Sequence, residues 1–286
     1  MSDASVLGPR FFMGEGVREM SAHAPPLPVR PAAVAGAFYP GAAAALKRAV
    51  LTYLDEAQPP DVVPRAVIAP HAGYIYSGPV AAYAFKALET VQRRTWTVYL
   101  MGPAHFVPIA GVALGRFRAF QTPLGDVPVA TERVAAMLQN SRLYEEAAVA
   151  HAPEHSLEVE LPFLQLTLGD FRIVPMLFGD VNPAEVAQDL GGRLDEGSLI
   201  VVSSDLSHYY DYETARRLDQ RLLADLLAGD IAAVARGQAC GLLPILTLMH
   251  LAQSRGWRPV LLDYRNSGDT AGDKHRVVGY ASVAYI

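Results

Sequence analysis

The run Leu199-Ile200-Val201-Val202-Ser203-Ser204-Asp205-Leu206-Ser207-His208 joins four apolar residues to a polar turn that contains an acid and ends on an imidazole. A short, wholly apolar segment of this kind, bounded by polar residues, reads as a strand buried on both faces, the habit of parallel sheets covered by helices. In such sheets the loops at the carboxyl ends of neighbouring strands converge on one crevice, and chemistry collects there.

Two further runs follow the same plan. Val67-Ile68-Ala69 leads into Pro70-His71, and Val98-Tyr99-Leu100-Met101 leads into Gly102-Pro103-Ala104-His105. If the three strands are neighbours, His71, His105, Asp205 and His208 share a pocket. The chain's one cysteine, Cys240, is free to join them. A metal site is the leading expectation.

The rest of the chain supplies the alternation that such a sheet needs. Strands are expected at 65–69, 95–101, 171–178, 198–202, 259–264 and 277–285, with short ones at 112–114 and 127–129. Helices are expected at 42–56, from Gly78-Pro79 to Leu88, from a Thr131 cap to Gln139, and at 155–168 with Pro162 kinking or beginning the last. Asn182-Pro183 opens another helix, and three more cover 212–227, 231–236 and 241–254. Strands alternating with helices predict one α/β domain whose central sheet is largely parallel or mixed. Residues 1–29, with the proline-rich Ala24-Pro25-Pro26-Leu27-Pro28, read as a flexible tail ahead of a domain at 30–286.

Composition bounds the function. The 286 residues are 51% hydrophobic and 19% charged, which suits a well-buried, enzyme-like body better than a charged adaptor. A net charge of −5 gives no pull toward nucleic acid or anionic lipid. One cysteine forms no internal disulfide and excludes an iron–sulfur cluster held by several thiolates of this chain. The sequence holds no span of the ~20 apolar residues a membrane helix needs, and no uninterrupted leader core, so a soluble cytoplasmic protein is expected.

Each candidate has a plainer reading. His71 and His105 fit loop histidines bonded to backbone as well as ligands, but two at equivalent strand ends favour a metal, which neutral imidazole binds well. Asp205 either ligates, or orients a histidine from behind, or caps a following helix. His208 suits general acid–base work. Cys240, before a helix start at Gly241, is either a buried structural thiol or a thiolate favoured by the helix dipole. His155 and Glu158, three apart on an expected helix, read as an acid–base pair facing the pocket or as an exposed polar face. His151 and His155 do not form the His-Glu-x-x-His pattern of zinc proteases.

Together, several motifs resemble the Memo family, whose prokaryotic members are known as the B component of the AmmeMemoRadiSam system. They are Arg30 to Pro40, Pro70-His71-Ala72-Gly73-Tyr74, Gly102-Pro103-Ala104-His105, His155-Ser156-Leu157-Glu158 with Leu161-Pro162-Phe163, Ser203 to His208, Cys240-Gly241 and Tyr264 to Asp269. The resemblance covers about residues 30 to 286. It implies the fold of class III extradiol non-haem iron dioxygenases, with metal ligands at His71, His105 and Cys240, and with Asp205 and His208 at remaining pocket positions. It implies Fe(II), with copper or zinc as alternatives, and dioxygenase-like oxidoreductase chemistry on a small-molecule or peptide substrate that it does not identify. A non-catalytic module that binds phosphorylated peptide or a radical-SAM partner is the alternative, and a zinc hydrolase is a third.

Overall fold

The computed structural model describes residues 1, 26–91, 95–140 and 142–286. Its strands are β1 (Val29–Arg30), β2 (Ala66–Ala69), β3 (Thr95–Pro103), β4 (Val112–Leu114), β5 (Ala119–Thr122), β6 (Gly125–Pro128), β7 (Tyr144–Glu146), β8 (Asp170–Phe178), β9 (Ser198–Ser203), β10 (His208–Tyr210), β11 (Pro259–Asn266) and β12 (Val277–Tyr285). The helices are α1 (Ala43–Glu56), α2 (Tyr74–Leu88), α3 (Thr131–Met137), α4 (Ala148–His151), α5 (Leu161–Thr167), α6 (Pro183–Gly191), α7 (Tyr212–Leu227), α8 (Ile231–Val234), α9 (Leu242–Arg255) and α10 (Ser267–Thr270).

The three apolar runs are neighbours. The main sheet runs β10-β12-β2-β9-β3-β8-β4-β7, with β11 also on β12, and β1-β5-β6 form a small second sheet. β2, β9, β3 and β8 are mutually parallel, and β9 is inserted between β2 and β3: Val67 pairs with Val201, and Tyr99 with Ile200. Antiparallel β12 and β4 flank this block. Ala66–Ala69 and Leu199–Val202 are buried throughout, as strands covered on both faces require. α2 packs on β2, β11 and β12, and α9 packs on β3 and β9. Phe85 of α2 stacks on Phe163 of α5 at 5.0 Å. The result is a single α/β domain with mixed sheets flanked by helices, consistent with a class III extradiol dioxygenase-like fold. None of the described helices is long and apolar enough to cross a membrane.

Some boundaries differ from expectation. α2 starts at Tyr74, so Pro79 lies inside it rather than in its first turn. Thr131 is the first residue of α3 and makes no side-chain cap, because the sheet already holds this entry: Ala130 N–H donates to the Ile173 carbonyl. His155 is not helical. A 3-10 turn at Glu158–Glu160 precedes α5, and Pro162 begins that helix instead of kinking it. β5, β7 and β10, three or four residues each, carry too little periodicity to be read from sequence. Residues 2–25 of the expected tail lie outside the described residues; pairing begins at Val29, opposite Ala119.

Arg30 is fully buried and ties the start of the domain to the site. It forms an ion pair with Glu158, and its Nε donates to the His151 carbonyl at 3.0 Å. Glu158 also accepts from Ala33 N–H at 2.7 Å, Val34 N–H at 3.0 Å and the Tyr39 hydroxyl at 2.5 Å. Glu158 therefore faces residues 30–39, and the expected pairing of Glu158 with His155 across one pocket-facing helix does not occur.

Candidate metal centre

His71 emerges directly from β2, with 2% of its surface exposed. Its backbone N–H donates to Asp205 Oδ1 at 2.9 Å, which joins the β2 loop to the β9 loop. Its ring Nδ1 lies 2.6 Å from Ser203 Oγ. Burial pushes the imidazole well below its ordinary pKa, and the neighbouring histidines add to this, so it is held in the neutral, ligating form.

His105 follows β3 and is tethered by Glu154. Glu154 Oε2 accepts the His105 backbone N–H at 2.6 Å, and Oε1 sits 2.9 Å from His105 Nδ1. Oε1 also accepts from the N–H groups of His155 at 2.8 Å and Ser156 at 2.9 Å. Burial works against this carboxylate's charge, yet the His105 and His155 rings and the converging N–H groups hold it far below the ordinary range. One buried acid thus sets the ring of His105 and the backbone on either side of His155.

The three imidazoles face one another. Ring centroids are 5.3 Å apart for His71 and His105, 5.5 Å for His71 and His155, and 4.7 Å for His105 and His155. One donor atom from each lies within 4.8 Å of the others, close enough for a shared ion. Cys240 stands outside that trio, but its Sγ is 3.3 Å from His71 Nε2. Gly241 permits the approach, since a Cβ there would fall 2.6 Å from Ser204 Cβ.

The donor chemistry fits a transition metal. Both His71 and His105 commit Nδ1 to a protein oxygen, which leaves Nε2 as the ligating atom, the usual arrangement of metal-bound histidine. Cys240 is another matter. Burial, with the Asp205 charge next, pushes its thiol up to about 12. The expected thiolate at a helix start therefore does not arise from the dipole alone; desolvation outweighs it, and a cation beside the sulfur is needed.

Asp205 and His208 line the same cavity of about 710 Å³ as the three histidines, together with the exposed Tyr76 and Tyr209. Asp205 caps no helix, because β10 and not a helix follows it. Burial pushes its carboxyl up to about 7, against hydrogen bonds from the His71 and Ala72 N–H groups. His208 Nδ1–H donates to the Leu206 carbonyl at 2.8 Å, which leaves Nε2 with its lone pair, and burial lowers its pKa. Next to it, Tyr209 adopts φ 64°, a left-handed conformation costly for a residue with a side chain.

His151 lies apart from the cavity. Its Nε2–H donates to the Ala113 carbonyl at 3.1 Å, and burial pushes its pKa down to about 4. In the unfolded chain it takes a proton near 6.5, so folding excludes a proton between these values. Stability is therefore expected to fall as pH drops from 6.5 to 4, by about 3 kcal/mol from this residue at the lower limit. Urea unfolding across that range should show a shallower loss for His151→Asn than for the wild type.

Sequence reading brought His71, His105, His155, Asp205, His208 and Cys240 to one place, and the structure does so too. It missed Glu154 and Ser203, which hold the His105 and His71 rings from behind, and Ser156, whose N–H and carbonyl bond to those two residues. The adjacency of an acid and an imidazole in Glu154-His155 was the signal available for the first.

The Memo-like protein family profile matches residues 30–284. A "MEMO1 family protein" of Ignicoccus hospitalis is 36% identical over 281 residues, covering 90% of this chain and 98% of its own. Proteins of the same name in Thermotoga maritima and Sulfolobus acidocaldarius are 36% and 33% identical, covering 88% and 90% of this chain and 98% and 99% of theirs. With a match across nearly the whole domain and relatives of equal extent, this chain belongs to the Memo-like protein family.

Proposed function

We propose that the chain is a metal-dependent oxidoreductase that uses Fe(II) in dioxygenase-like chemistry on a small molecule. His71 and His105 anchor the metal, Cys240 or His155 completes the site, and Asp205 and His208 handle protons. The observation that carries this reading is the pair of imidazoles tethered at Nδ1, whose side chains line a roomy cavity with His155, Asp205 and His208. When bound, such an ion supplies a redox centre for oxygen chemistry; copper or zinc also suits nitrogen and sulfur donors. The protein residues do the rest. His208 presents an unprotonated Nε2 to the cavity and can take a proton from a substrate hydroxyl. Asp205, titrating near 7, can hold or return one at neutral pH.

Anaerobic Fe(II) loading followed by metal analysis is expected to give near-stoichiometric iron in the wild type and almost none in His71→Ala. Comparing Cys240→Ala with His155→Ala identifies the third ligand as the variant that loses iron. Oxygen uptake with a panel of catechols should then fall by about 10²-fold or more in iron-loaded His208→Ala. Iron binding without His208-dependent uptake would favour a binding module over an enzyme.

A further inference from the structure

Behind His71, away from the cavity, Ser203 Oγ makes three short contacts. It lies 2.5 Å from the Ser156 carbonyl, 2.6 Å from His71 Nδ1 and 2.8 Å from Glu160 Oε1. A hydroxyl has one proton to give and two lone pairs to accept with. The Ser156 carbonyl can only accept, and it is the nearest partner, so the Ser203 proton goes there. The two lone pairs of Oγ must then receive protons from both remaining partners, Nδ1–H of His71 and an O–H of Glu160. If Glu160 were ionised, its oxygen and the Ser156 carbonyl would compete for one proton. The loser would face Oγ across less than 3 Å with no proton between them.

A second observation agrees. Glu160 is fully buried, its Oε2 has no hydrogen-bond partner, and no Lys or Arg pairs with it among the described residues. A bare carboxylate oxygen in such a place is far costlier than the carbonyl oxygen of a neutral acid. Nearby groups do not favour ionisation. The Tyr74 hydroxyl donates to the Val159 carbonyl instead, and a charged Asp205 would repel a second charge.

We propose that Glu160 keeps its proton and, through Ser203, fixes His71 as the Nδ1–H tautomer with its Nε2 lone pair turned to the cavity. Glu160 is thus a positioning residue, two hydrogen bonds from the proposed ion. Any consequence for metal affinity rests on the function proposed above; the tautomer and the protonation state do not.

The test uses the full-length, metal-free protein. Nitrogen-15 NMR of labelled histidine is expected to report His71 as Nδ1–H in the wild type and in Glu160→Gln, whose amide N–H can replace the acid proton. Infrared difference spectra of wild type against Glu160→Gln should show a carboxylic acid C=O band at neutral pH. Ser203→Ala should lose the fixed tautomer, and iron affinity should drop about 10- to 100-fold. An Nε2–H tautomer in the wild type, or a carboxylate band in place of the acid band, overturns the proposal. If Glu160→Gln fails to fold, the wild-type NMR and the carbonyl band under carbon-13 glutamate labelling decide it. Loss of tautomer without loss of affinity would leave the positioning intact and count against the metal reading alone.

Discussion

Glu158→Leu is expected to destabilise the fold by about 3–5 kcal/mol, the cost of leaving a buried charge without its partner. Arg30 would remain inside the protein with its guanidinium uncompensated, and the Ala33 and Val34 N–H groups and the Tyr39 hydroxyl would lose their acceptor. The double variant Arg30→Met with Glu158→Leu should recover part of that loss, because it removes both charges together. Denaturant titrations of the four proteins complete the cycle. A cost under about 1 kcal/mol for the single change would mean that water reaches the pair.

The second large effect is expected at Glu154. Glu154→Ala removes the acceptor of the His105 ring, and of the backbone N–H groups of His105, His155 and Ser156. Two of the three imidazoles then lose their orientation at once. Iron affinity, read by competition with a chromogenic chelator, should fall by at least about 10- to 100-fold, while far-ultraviolet circular dichroism stays close to wild type. Glu154→Gln should lie between, since its carbonyl can still accept but its amide group would confront N–H donors. Unchanged affinity in Glu154→Ala would remove Glu154 from any role in the centre.

The parallel block of the sheet was legible because burial on both faces leaves a continuous apolar run, and such runs precede His71, His105 and Ser203. What was not legible has a common physical cause. Glu154, Ser156, Ser203 and Glu160 act through contacts between segments distant in sequence, and no local period marks them. His155 illustrates the point: helical spacing would have placed it beside Glu158, but Arg30, more than a hundred residues earlier, draws Glu158 the other way. Cys240 was legible as a neighbour of the histidines and not as a thiolate, because desolvation depends on how deeply α9 presses against the β9 turn.

The insertion of β9 between β2 and β3 also sets an order of events during synthesis. Until Ser198–Ser203 has been made, the strands that carry His71 and His105 lack the element that joins them, and Ser203 and Asp205 are not yet available to hold either loop. A nascent chain stopped before residue 198 would therefore have its first two candidate ligands but no means of bringing them together. Because these pairings span more than a hundred residues, closing them carries a loop-entropy cost that slows folding. The candidate site is thus assembled only after β9 has been made, and metal uptake there, on the function proposed above, would follow that step.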